Sequence, residues 1–354
     1  PQIRYRILTE KPIEVMNVWS CAKKAGGRLL TLIGVVVAMA SCHSIYDDEG
    51  DCSFTYRVQF RYDLNMKFAD AFANEVKAVT LYVIDESGTV VWKRSEQGEA
   101  LAARDYAMTV DVPPGTYQLL AWCGLEDGSS FIVPDAQPGL TRKEALTCTM
   151  VRSYGPDERA YRDKDLKPLF HGALTHTFTD APGVHTVVVP LTKNTNNVRV
   201  VLQHLSGDPV DKDEFTFCIT DENGRMAWDN SLLSDGPLTY YAWHVDGGTA
   251  ELDQTREVSS FSAVVAELST NRLMLGSKPR LTVTNRKGEK VLSIPLIDYA
   301  LLVKGYYKRP MDDQEYLDRQ DEYSMVFFLD EGMRWVKSTV IINSWKLVLQ
   351  ETDI

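Results

Sequence analysis

The sequence predicts an all-β protein built as two tandem β-sandwiches behind a short apolar N-terminal segment. Three observations predict it. Short segments alternate apolar and polar residues with a period of two, the period of a half-buried strand. Helical patterning is confined to two stretches, residues 65–75 (NMKFADAFANE) and 311–323. About 310 residues follow the apolar segment, which is too many for one ordinary sandwich and suits two domains of about 150 each. With 44% hydrophobic and 25% charged residues and no low-complexity tract, the body has the composition of a chain that buries a core. The formal net charge of −11 excludes nucleic acid as a natural partner, because phosphate binding needs clustered Lys and Arg.

Residues 1–41 read as an upstream extension and a signal peptide. The apolar run Leu29 to Ala40 is shorter than the roughly 20 residues a spanning helix needs. It fits the h-region of a secretory signal, with Lys23, Lys24 and Arg28 as the basic n-region. Met16 is the expected start, which would make Pro1 to Val15 upstream translation. Met39-Ala40-Ser41-Cys42 resembles the lipobox of bacterial lipoproteins, with Met39 where Leu is usual. That resemblance implies that Cys42 carries lipid and becomes the first mature residue, so that acyl chains hold the body on a membrane. Residues 42–52 then form an acidic tether with Asp47, Asp48, Glu49 and Asp51. It resembles the surface-export signal of Bacteroidota lipoproteins, and Ser44 is not the Asp that typically retains a lipoprotein in the inner membrane.

The first sandwich is expected over residues 53–193. Ser53 to Tyr62 places Phe54, Tyr56, Val58 and Phe60 on one face. Val76 to Val83, Val90 to Lys93, Ala107 to Val112 and Thr116 to Trp122 read the same way, and Pro113-Pro114-Gly115 is a turn feeding the last of them. The second sandwich is expected over residues 194–354. The boundary falls at the polar run Leu191 to Asn197, between the strands HTVVVPL and VRVVLQHL. A weak repeat supports two copies of one fold: Asp85-Glu86-Ser87-Gly88 with Trp92 matches Asp221-Glu222-Asn223-Gly224 with Trp228 at one offset. Both are expected to be hairpin turns, and chance convergence of hairpins on the same residues is the alternative. Leu281 to Ile294 is a third hairpin of similar chemistry.

Several segments together resemble the FimB-type fimbrial anchor (fimbrillin-associated) lipoprotein family of the Bacteroidota. They are the lipobox with its acidic follower, Arg61 to Gly88, Pro113 to Leu125, Pro190 to Leu202, Tyr316 to Leu329 and Val340 to Val348. They occur in family order and span Cys42 to the C-terminus. The resemblance implies that both sandwiches are transthyretin-like and that the protein is not an enzyme. It implies a surface-exposed outer-membrane lipoprotein that anchors a polymer of fimbrial subunits (fimbrillin) and helps set its length. Such polymers are thought to grow by strand donation, and an anchor without a further growth site would end assembly at the base. A surface glycan-binding lipoprotein is the alternative function.

No constellation competes with this reading. Of six cysteines, Cys52, Cys123, Cys148 and Cys218 remain after the signal and the lipid site. A Cys52–Cys123 disulfide is expected, with Cys148 and Cys218 free and buried. No CxxC or HExxH spacing exists, so no metal or other cofactor is expected. The acidic run Met311 to Glu322 is expected to be a solvated helical face that Tyr316, Leu317 and Tyr323 pack down, a role in domain packing being the other reading. Strand-interior Trp92, Trp122, Trp228 and Trp345 are expected in cores. The C-terminal stretch Lys337 to Leu349 is expected to serve the protein's own sheet rather than be exchanged.

Overall fold

Alternation becomes strand wherever one face can be buried. In the computed structural model, which describes residues 53–254 and 257–348, the chain forms 23 strands and three short α-helices. The first half holds β1 (Phe54–Arg61), β2 (Ala78–Ile84), β3 (Val90–Gln97), β4 (Met108–Val110), β5 (Gly115–Cys123), β6 (Phe131–Ile132), β7 (Cys148–Met150), β8 (Ser153–Tyr154), β9 (Ala160–Arg162), β10 (Phe170–Phe178), β11 (Gly183–Pro190) and β12 (Thr192–Lys193). The second half holds β13 (Thr195–His204), β14 (Phe215–Asp221), β15 (Arg225–Met226), β16 (Leu238–Tyr241), β17 (His244–Gln254), β18 (Glu257–Asn271), β19 (Arg280–Asn285), β20 (Lys290–Pro295), β21 (Glu322–Leu329), β22 (Trp335–Ile342) and β23 (Trp345–Val348). The helices are α1 (Phe72–Glu75), α2 (Leu296–Leu301) and α3 (Asp313–Arg319).

Two sandwiches result. In the first, the sheet β11-β1-β4 faces the sheet β12-β10-β5-β2-β3 over a core that includes Tyr56, Val58, Phe60, Leu81, Leu119, Phe170 and Val189. In the second, β17-β18-β13-β21-β22-β23 faces β20-β19-β14-β16-β9-β8. Val200, Leu202, Phe217, Val283, Met325 and Phe327 fill the space between. The second core does not stop at the sandwich. It continues onto the back face of the first half's five-stranded sheet, where Tyr82, Ile84, Leu120 and Trp122 join the same cluster.

The division expected at residues 193 and 194 is therefore crossed. β8 and β9 precede it in sequence yet lie in the second six-stranded sheet, β9 running parallel to β16. β6, β7 and β15 form a small sheet from both halves. The two Asp-Glu-x-Gly segments also diverge. The first is a hairpin turn, with Gly88 at φ +83 and β2 paired to β3. After the second, β15 pairs with β7 instead of returning along β14. The C-terminal stretch is a hairpin and not one strand: Asn343 and Ser344 both take positive φ, 46 and 71, as a tight two-residue turn requires. It does lie in its own sheet, β22 against β21 and β23 against β22. Of the two helical stretches, only residues 72–75 and 313–319 form α-helix.

Candidate functional site

The first element after the expected tether is β1, and it sits inside its sheet. It runs parallel to β11 over its full length, Phe54 opposite Gly183 through Arg61 opposite Pro190, with β4 antiparallel on the other edge. Tyr56, Val58 and Phe60 point into the core and are at most 5% exposed. Each such side chain contributes about 1.5–3 kcal/mol by burial. Tyr56 stacks on Phe178 at 4.2 Å, and its hydroxyl donates to the Thr179 carbonyl. Phe60 stacks against Phe72 and Tyr106 at 5.7 and 6.3 Å. The sandwich thus fills itself with its own first strand.

Between the halves lies a polar seam. The run Asn194-Thr195-Asn196, part of the polar boundary read from the sequence, is buried. A buried amide is costly unless hydrogen-bonded, and here most of the amide groups bond one another, the Asn271 Oδ1 being left without a partner among the described residues. Asn194 and Asn230 exchange side-chain bonds of 2.6 and 3.1 Å. Asn196 donates to the Asn271 carbonyl, Asn271 to the Asn223 carbonyl, and the Tyr240 hydroxyl to Asn223 at 2.6 Å. Asn223 is the third residue of the second Asp-Glu-x-Gly segment, so that loop serves the seam rather than a hairpin.

The acidic run 311–322 borders the seam and is ion-paired rather than solvated. Asp312 caps α3 by accepting from the Glu315 N–H at 2.7 Å. Asp318 takes both Nε and Nη2 of Arg272, at 2.8 and 2.7 Å, while Arg272 Nη1 donates to the Asn230 carbonyl. Asp321 pairs with Lys193 at 2.5 Å, and Glu75 of α1 pairs with the same ammonium at 3.1 Å. Burial opposes the Lys193 charge, but Asp321 and Glu75 override it and hold the pKa above its usual value. Arg319 binds Glu315 and donates to the Asp63 carbonyl of the first half. Arg309 and Arg319 both lie over the Phe68 ring, at 4.0 and 4.4 Å. Tyr316, Leu317 and Tyr323 are buried as expected.

A second bridge joins the halves behind the five-stranded sheet. His171 is 5% exposed, packs edge-on to Trp122 at 4.7 Å, and donates from Nε2 to the Trp228 carbonyl at 2.8 Å. Burial pushes its pKa down to about 4, partly opposed by that bond. Lys143 lies 3.9 Å over the Trp228 ring. Of the four tryptophans expected in cores, Trp122 is buried, Trp92 and Trp228 are half-buried, and Trp345 is 42% exposed, stacked on Tyr306 at 4.4 Å.

Cys42 and Cys52 lie outside the described residues. Cys123 is fully buried with a free thiol, and Cys148 is likewise free and buried. Cys218 is free but only half-buried, because it faces outward between inward Phe217 and Ile219. The expected Cys52–Cys123 pairing therefore involves a residue outside the described ones. No group of three His, Cys, Asp or Glu side chains among the described residues could hold a metal ion, and no described helix is long and apolar enough to cross a membrane.

Comparison with known proteins gives this arrangement relatives. Residues 48–351 match the family model of the fimbrillin-A associated anchor proteins Mfa1 and Mfa2. A Bacteroides thetaiotaomicron structure provisionally described as an adhesin is 36% identical, with a TM-score of 0.74 over 83% of this chain and 97% of its own. A second from that organism, provisionally described as polysaccharide-binding, is 31% identical, with a TM-score of 0.73 over 85% and 100%. The fimbrial anchor protein Mfa2 from Porphyromonas gingivalis shares the fold at 16% identity, with a TM-score of 0.62 over 84% and 99%. The comparison with curated protein sequences found no match.

Proposed function

Because the chain belongs to the family of fimbrillin-A associated anchor proteins, we propose that it is an outer-membrane surface lipoprotein, tethered through Cys42, that holds a fimbrium to the cell and ends strand-donation assembly at its base. The observation that carries this reading is the position of β1. Strand donation needs an open slot: main-chain hydrogen bonds give affinity and alternate side-chain pockets give register. In the first sandwich that slot holds β1, flanked by β11 and β4. A subunit whose slot is filled by its own strand accepts no strand there, so growth stops at it. Exposed edges elsewhere then serve for contact with the polymer.

Replacing Cys42 with Ala tests the tether. Sheared cells carrying the variant are expected to release fimbrial polymer together with this protein into the medium. Polymer that stays on the cells while only this protein leaves would refute the anchor role and keep the lipid site. Surface glycan binding is the second reading, favoured by the relative described in those terms and tested by retention on a glycan matrix.

A further inference from the structure

One of the clefts on the surface has no part in the anchoring reading. It has a volume of about 550 Å³ and lies on the second half, at the end of the sheet where β13, β18 and β21 run side by side. Arg199 on β13 and Glu267 on β18 face each other across the ladder there, and Arg199 Nε donates to Glu267 Oε1 at 2.7 Å. Glu322 opens β21, and Asp165 comes from the loop after β9. Trp243, Tyr307 and the buried Tyr323 also line it. Trp243, just before β17, is 42% exposed and is fixed by its backbone N–H, which donates to the Glu267 carbonyl. Tyr307 is half-buried near Tyr316, with ring centroids 5.6 Å apart.

We propose that this cleft binds a neutral or amino sugar at the end of a surface glycan, an inference that rests on the glycan-binding reading and not on the anchoring one. Its volume falls within the range of small-molecule sites, about 300–1,000 Å³. The aromatic rings offer apolar faces to the C–H side of a pyranose. The Arg199–Glu267 pair sets donors and acceptors side by side, the arrangement that neighbouring sugar hydroxyls answer, each being both donor and acceptor. Charge selects within the class. Asp165, Glu267 and Glu322 outweigh Arg199, so the cleft repels uronic and sialic acids and tolerates neutral or cationic sugars.

The test is a microarray of neutral, N-acetylated, sialylated and uronic oligosaccharides, followed by titration calorimetry with the strongest neutral probe. The protein is the chain from residue 42 with Cys42→Ser. Neutral glycans are expected to bind and acidic ones not. Trp243→Ala and Arg199→Ala should each weaken binding at least about tenfold, Trp243→Phe should restore part of it, and Leu140→Ala, exposed on the first half away from the cleft, should change nothing. No neutral glycan bound, acidic glycans preferred, or binding indifferent to Trp243→Ala in a protein with unchanged circular dichroism would overturn the proposal.

Discussion

Arg272→Met should weaken the protein far more than the pair it belongs to is worth. The guanidinium binds Asp318 through two bonds of 2.8 and 2.7 Å, and the two side chains are only 13% and 10% exposed. At an effective dielectric of about 20 the attraction over that distance is about 6 kcal/mol, while withdrawing each ion from water costs several kcal/mol. The intact pair therefore nets close to zero. Removing Arg272 alone cancels the attraction and leaves Asp318 buried with only Gln314 as a side-chain donor, which costs about 3–5 kcal/mol. It also strips the Asn230 carbonyl of a donor inside the seam. Urea unfolding followed by tryptophan fluorescence reads the difference. The double variant Arg272→Met, Asp318→Leu should recover most of the loss, with a coupling energy of about 2 kcal/mol or more. Because the core runs through both halves, the parent should unfold in one transition and Arg272→Met should broaden or split it. A single-variant loss under about 1 kcal/mol, or a double variant as weak as the single, would refute the argument that the seam's ions are interdependent.

Two further outcomes follow from other sites. His171 is held neutral in the fold, with a pKa of about 4 against 6.5 when free. Below pH 6.5 the unfolded chain therefore binds the extra proton, and stability falls as pH drops, levelling off below about 4 at a loss of up to about 3 kcal/mol. The urea midpoint between pH 7.5 and pH 4.5 should shift less in His171→Gln than in the parent, and an equal shift would remove His171 from the account. Gly124→Ala and Gly98→Ala differ in the space around them at a similar φ. Both glycines have φ near +90, but a Cβ at Gly124 would stand 1.9 Å from the Pro168 carbonyl oxygen, whereas none of the surrounding atoms approaches within 4 Å at Gly98. Gly98→Ala should cost about 1–3 kcal/mol and Gly124→Ala clearly more in thermal unfolding; equal losses would show that strain alone decides.

The strands were largely legible because their signal is local. Tyr56, Val58 and Phe60 alternate with Arg57 and Gln59, and that alternation alone assigns a buried face. Turn chemistry was legible where glycine marks it, as at Gly88, and was missed at Asn343-Ser344, which sits between apolar runs that read as one strand. The seam was not legible for a physical reason. Asn and Thr are read as loop formers because they are usually solvated, and nothing in Asn194 or Asn196 announces that Asn230 and Asn271, up to 75 residues away, will bond them. The acidic helix misled in the same way: its partners Lys193 and Arg272 are remote in sequence, so pairing looked like solvation. The order of the sheets was hidden too, since β8 and β9 cross to the other half through contacts that no local pattern encodes. What the sequence could carry was joint: no single segment identifies an anchor, and the ordered set from Arg61 to Val348 does.

The central placement of β1 also has a mechanical meaning. If the chain hangs from Cys42, any drag on the fimbrium is transmitted through residues 42–52 to Phe54, the first residue of β1. For a pull directed along that strand, the hydrogen bonds to β11 and β4 are loaded in shear, all together, instead of being opened one after another from an end. Tyr56, Val58 and Phe60 would have to leave their pockets in the same step. A short strand whose bonds are individually worth only about 1 kcal/mol in water becomes a lock under sudden load, yielding slowly to sustained tension and hardly at all to a brief tug.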